Sequence, residues 1–69
     1  MEQSPLMRAV EAAGSQGKLA AAIGTKQQNV WKWLRKGEPP AEFVLRIEKA
    51  TGISRAELRP DLYPSESAA

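Results

Sequence analysis

Four side chains within six residues have the chemistry to read a nucleic acid: Gln27, Gln28, Trp31 and Lys32, in the run KQQNVWKWLRK. A glutamine carboxamide carries a donor and an acceptor side by side and pairs with adenine N6 and N7; a lysine ammonium donates to guanine O6 and N7. Each such pairing discriminates against the wrong base by about 1–3 kcal/mol. Trp31 offers an indole face that fits a thymine methyl or a sugar, or else the surface of a protein partner. Gln16, Lys18, Lys26, Asn29, Arg35 and Lys36 surround them and suit phosphate oxygens.

Bond-making chemistry is not expected. The chain has no cysteine and no histidine, so disulfides are impossible and zinc sites of the usual kind are not expected. Its carboxylates are scattered on helix exteriors with lysines nearby. No glycine-rich phosphate loop follows a strand, and nothing resembles a buried acid–base pair. The sequence therefore reads as a non-enzyme without metal or cofactor.

Sixty-nine residues bound the answer to one small domain, stabilised by helix packing, with dimerisation as a further source of stability. There is no apolar run of the length a transmembrane helix needs. The first ten residues lack the basic and apolar segments of a secretory signal. A cytoplasmic, nucleoid-associated protein with no membrane partner is the expectation. The net charge of +2 is unevenly spread. Residues 1–14 sum to −1 and residues 38–69 to −2. Residues 15–37 hold Lys18, Lys26, Lys32, Arg35 and Lys36 with no acid, for +5. That is where a polyanion would dock, although charge alone fits a solvated helix face equally well.

Helices must position these groups. Ser4-Pro5 starts the first, with serine as N-cap and proline at the first helical position. Leu6, Ala9, Val10 and Ala13 follow at helical spacing to Gly14, predicting a helix over 5–13. Ser15 caps a second over 16–23, whose inner face is Leu19, Ala20 and Ile23. Gly24 ends it. Thr25 is the expected N-cap of a third helix over 26–36, with Val30, Trp33 and Leu34 inward and Gly37 as stop. Trp31 and Trp33 lie about 200° apart on a helix, so Trp31 falls on the polar face. Glu38-Pro39-Pro40 breaks the chain. A fourth helix over 41–51 follows, with Ala41, Val44, Leu45, Ile47 and Ala50 as candidate core and Phe43 on the flank. Ser54-Arg55-Ala56-Glu57 reads as a capping box opening one short turn that ends near Leu58. Residues 59–64 contain two prolines and are expected to be extended, with Leu62 and Tyr63 packed on something apolar. Residues 65–69 are expected to be disordered. The fold class is all-α, a compact bundle of about five short helices.

Residues 16–34 meet the demands of a helix-turn-helix. Ala20 is the small residue where the two helices meet, Gly24 tolerates the turn, and Leu19, Ile23, Val30 and Trp33 lock the second helix from beneath. Gln16 opens the first helix, where its side chain and the helix N-terminus can bond phosphate.

On these residues the chain resembles the Cro/CI-type phage repressor helix-turn-helix family. It is most similar to the YdaS-like, Cro-like prophage regulators, a group also regarded as antitoxin-like. The stretches that carry the resemblance are SQGKLAAAIGTKQQNVWKWLRKG, PPAEFVLRIEKATGISRAEL and the closing RPDLYP, together about nine tenths of the chain. The resemblance implies a lambda-repressor-like domain over 1–64 that binds an operator in double-stranded DNA. The second helix of the motif, 26–36, would lie in the major groove, usually with two copies on a pseudo-palindromic site. It implies base contacts from Gln27, Gln28 and Lys32, flanked by Lys26, Asn29 and Trp31. The Gln16 amide would touch phosphate and support the first base contact. Trp31 departs from the small or polar residue expected at its place. The function read is a sequence-specific transcriptional regulator, a Cro-like repressor that acts as a homodimer, formed on DNA if not before. The alternative is an antitoxin-like module that neutralises a toxin partner, motivated by Trp31, Phe43 and the Leu62-Tyr63 segment.

Overall fold

A computed structural model describes residues 4–64. Five helices follow one another: α1 (Pro5–Ala13), α2 (Gln16–Ile23), α3 (Gln27–Lys36), α4 (Ala41–Thr51) and α5 (Arg55–Leu58). There is no strand among the described residues.

Local chemistry sets most of the boundaries. Ser4, Ser15 and Ser54 each accept a backbone N–H of the first turn, from Met7, Lys18 and Glu57 at 3.1, 3.1 and 3.2 Å. These bonds satisfy donors that a helix start leaves orphaned. The Ser54 box is reinforced from elsewhere in the fold. Glu57 accepts from Arg8 of α1 at 2.8 Å, and Glu48 of α4 accepts the Arg55 backbone N–H at 2.8 Å. Gly24 ends α2 with φ 78° and ψ 36°, a left-handed conformation that costs any residue with a Cβ about 1–2 kcal/mol.

The core is assembled from one stripe of each helix. Leu6, Ala9 and Val10 of α1 meet Leu19, Ala20 and Ile23 of α2, Val30 of α3, Val44 and Ile47 of α4, and Leu58 of α5. Helix α2 is central and packs against α1, α3 and α4. Trp33 and Phe43 close one side with ring centroids 5.0 Å apart.

Four expectations are corrected. Helix α3 starts at Gln27, and Lys26, not Thr25, occupies the N-cap position; the Thr25 hydroxyl instead accepts the Asn29 side chain at 2.8 Å. On α4 only Val44 and Ile47 enter the core, while Ala41, Leu45 and Ala50 are exposed. Residues one apart on a helix differ by about 100°, so a stripe centred on Val44 and Ile47 leaves Leu45 outside. Residues 59–64 are not extended. The N–H groups of Leu62 and Tyr63 both donate to the Arg59 carbonyl, at 3.0 and 2.9 Å. In that turn Tyr63 packs against the core and Leu62 is exposed. The expected disorder of 65–69 lies outside the described residues.

Candidate nucleic-acid interface

Helix α3 divides cleanly around its circumference. Val30 is fully buried and Trp33 and Leu34 are partly buried against the core. The opposite side carries two rows at a spacing of four residues: Gln27, Trp31 and Arg35, then Gln28, Lys32 and Lys36. All six are exposed. Residues at that spacing lie one above another on a helix, so each row is a continuous strip of side chains.

The helix-turn-helix brings α2 up to the first row. Gln16, Gln27, Gln28 and Trp31 line a single open groove of about 240 Å³. Three carboxamides and one indole thus share a wall, although Gln16 is eleven residues from Gln27 in the chain. Gln27 leans on α2: its Oε1 lies 3.3 Å from where a Cβ on Gly17 would stand. Trp31 is 48% exposed. The Arg35 guanidinium stacks on its ring, 4.8 Å from the centroid, a contact that restrains both side chains.

The remaining candidates fall in different places. Lys26, Lys32 and Lys36 are exposed along α3 or at its start. Lys18 belongs to α2 but folds its stem over the α1–α2 turn, close to Gly14. Asn29 stands apart from the exposed rows. It is half-buried, and its Nδ2 donates to Thr25.

Electrostatics single out the same face. Four ion pairs brace the fold: Arg8–Glu57, Arg55–Glu48, Arg59–Glu38 and Arg59–Asp61. None engages the five cations of residues 15–37. These pairs hold the Glu48, Glu57 and Asp61 carboxyls below the ordinary carboxylate range. For Glu48 the leading cause is the Arg55 backbone N–H, for Glu57 the Arg8 side-chain bond and for Asp61 the Arg59 side-chain bond. Glu38, Glu48, Glu57 and Asp61 are therefore occupied in bracing the fold.

Three residues that pack around this region had no signal in the local sequence pattern. Arg46 of α4 donates to the Ile23 carbonyl at 3.2 Å, at the carbonyl end of α2, and lies over the Phe43 ring. A cation there complements the helix dipole. Arg59 donates to the Pro39 carbonyl at 2.8 Å and grips Asp61. It thereby ties the segment after α3 to the C-terminal turn. Gly17 is the third. Each acts across 20 or more residues or through a side chain it lacks, which periodicity does not record.

Residues 6–67 match the family model described as bacterial toxin YdaS. No curated protein sequence matches the chain. Among solved structures, the chain is similar to the Cro protein from prophage element Xfaso 1 in Xylella fastidiosa strain Ann-1. Identity is 32%, the match covers 91% of this chain and 100% of that one, and the TM-score is 0.87. On the family match and this Cro-like all-α helix-turn-helix fold, the chain belongs to the YdaS family.

Proposed function

We propose that the chain is a sequence-specific DNA-binding regulator of Cro type, which occupies an operator and excludes polymerase without needing a ligand. The observation that carries this reading is the groove of Gln16, Gln27, Gln28 and Trp31, built from the segment 15–37 that holds five bases and no acid. In this reading α3 lies in the major groove. Gln27, Gln28, Trp31 and Lys32 meet base edges. Gln16, Lys18, Lys26, Arg35 and Lys36 hold phosphates, with Asn29 bracing the turn as well as flanking the backbone. The similar prophage protein is a Cro protein by name, which supports the assignment. One recognition helix covers few base pairs, so two copies on half-sites about 34 Å apart are proposed. Phe43 and Tyr63 are used in packing, so the exposed apolar side chains left for pairing are Leu45 and Leu62.

The test is binding of a selected duplex and a random duplex across salt concentrations. Gln28→Ala should lose preference between them. Lys36→Ala should weaken both and reduce the salt slope by about one unit. If the wild type binds neither duplex at micromolar concentration in about 100 mM salt, the reading fails, since non-specific binding alone reaches that range.

A second reading is a protein-interaction module of a toxin–antitoxin pair. The family description names a toxin, and Leu45 and Leu62 are exposed on elements outside residues 15–37. Co-purification with the product of an adjacent reading frame, lost in a Leu45→Lys variant, would favour it.

A further inference from the structure

Gly17 sits inside the first turn of α2, yet its backbone does not need a glycine. The positive-φ glycines are Gly14, Gly24, Gly37 and Gly52, and Gly17 is not among them. In a helix a glycine is destabilising relative to alanine. The space a side chain would fill is taken by the Gln27 carboxamide. From an ideal Cβ at this position, Gln27 Oε1 is 3.3 Å away and Gln27 Cδ 3.9 Å.

We infer that Gly17 is a positioning residue for base readout: its missing side chain seats the Gln27 carboxamide against α2, beside Gln16. The inference rests on the reading of the α2–α3 face as a DNA reader and names what sets its specificity. A methyl group at position 17 would come closer to Oε1 than ordinary contact allows. Gln27 is exposed, so its carboxamide gives way by a few tenths of an ångström and the backbone does not. The fold therefore tolerates the change. Base pairing by a carboxamide is less tolerant, because that displacement at Oε1 uses up much of the roughly 0.5 Å and 10–20° within which a recognition group must be held. The sequence has given up helix stability at one site and gained a fixed amide at another.

The experiment compares wild type, Gly17→Ala, Gln27→Ala and the double variant. Each is measured on a duplex selected from a random pool and on every single base-pair substitution of it. Thermal unfolding and salt slopes accompany the binding data. Gly17→Ala should unfold at the wild-type temperature or above and keep the wild-type salt slope. It should lose about fivefold or more of discrimination at the base pair read by Gln27, and the double variant should discriminate there no worse than Gln27→Ala. Unchanged discrimination at every pair would overturn the proposal. So would a loss spread evenly over all pairs, an additive double variant or a lower unfolding temperature, each of which marks a general distortion. A wild type with no preference for its selected duplex overturns the interface reading itself. That outcome is distinct from a preference that Gly17→Ala leaves intact.

Discussion

Trp31 and Trp33 stand about 200° apart around α3. Trp33 packs against the core and pairs with Phe43 at 5.0 Å. Trp31 is half exposed and stacks with Arg35. Truncation should separate the two. Trp33→Ala removes a partly buried indole and should cost about 3 kcal/mol, the low end for such truncations. In a chain of this size that lowers the melting temperature by more than about 10 °C. Trp31→Ala forfeits an exposed cation–π contact and should cost no more than about 1 kcal/mol, yet weaken binding to the selected duplex. Calorimetry and titration on both variants check this. If Trp31→Ala binds DNA as the wild type does, the indole belongs to a protein partner. The opposite orientation of the two rings was legible in the sequence because periodicity alone sets it. What Trp31 touches was not, because Arg35 stacks on it by a choice of rotamer.

Helix α3 owes its placement to contacts where α2 gives way to the turn before it. Gly24 supplies the left-handed residue there, and Arg46 reaches from α4 to the Ile23 carbonyl. A Cβ on Gly24 would lie 3.6 Å from Arg46 Nη1, which is ordinary contact, so strain in φ is the main cost of a substitution. Gly24→Ala should therefore destabilise by about 1–2 kcal/mol. Arg46→Met should destabilise by about 0.5–1.5 kcal/mol, the usual net worth of a hydrogen bond, with loss of the guanidinium over Phe43 added to it. Denaturant midpoints would check both, and equal binding of the selected duplex by Arg46→Met and wild type would show that α4 does not hold the turn. The glycine was legible because positive φ has a narrow residue preference. The helix ends capped by serine were legible for the same local reason. The inner face of α4 was only half legible: Val44 and Leu45 are equally apolar, and the choice between them is made by where α1, α2 and α5 lie. The turn at 59–63 was misread as extended because its bonds converge on one carbonyl, that of Arg59, with no periodic pattern to announce it.

At the scale of the whole molecule, ten small buried side chains from all five helices carry the fold. Stability for a chain of this length is on the order of 3–10 kcal/mol. Ile47→Ala empties part of a fully buried site and should cost about 2–5 kcal/mol. It should bring the unfolding transition close to room temperature, as far-UV circular dichroism would show. The class of the fold was legible from composition and helical spacing, and the candidate site from spacing and charge together. Its depth was not, since the groove exists only where Gln16 and Gln27 meet across the turn.

Charge is partitioned on the same scale, and this sets the response to acid. Glu48, Glu57 and Asp61 bind α4, α5 and the C-terminal turn to their arginines, and their folded carboxyls sit below the ordinary range. A carboxyl depressed on folding contributes stability in full above its unfolded value, near 4. That contribution is lost as pH falls through the lower folded value. With no histidine in the chain, no side chain has an ordinary pKa between about 5 and 8. The melting temperature should therefore be nearly flat from about pH 6 to 8 and fall below about pH 4. Glu48→Gln should melt lower than wild type at pH 7 and lose less on acidification, because one of the three carboxyls depressed on folding is gone. An acid dependence identical to wild type would show that the Glu48–Arg55 contact is not maintained in solution. The cations of residues 15–37 take no part in these pairs, so the variant should bind DNA at pH 7 with the wild-type salt slope.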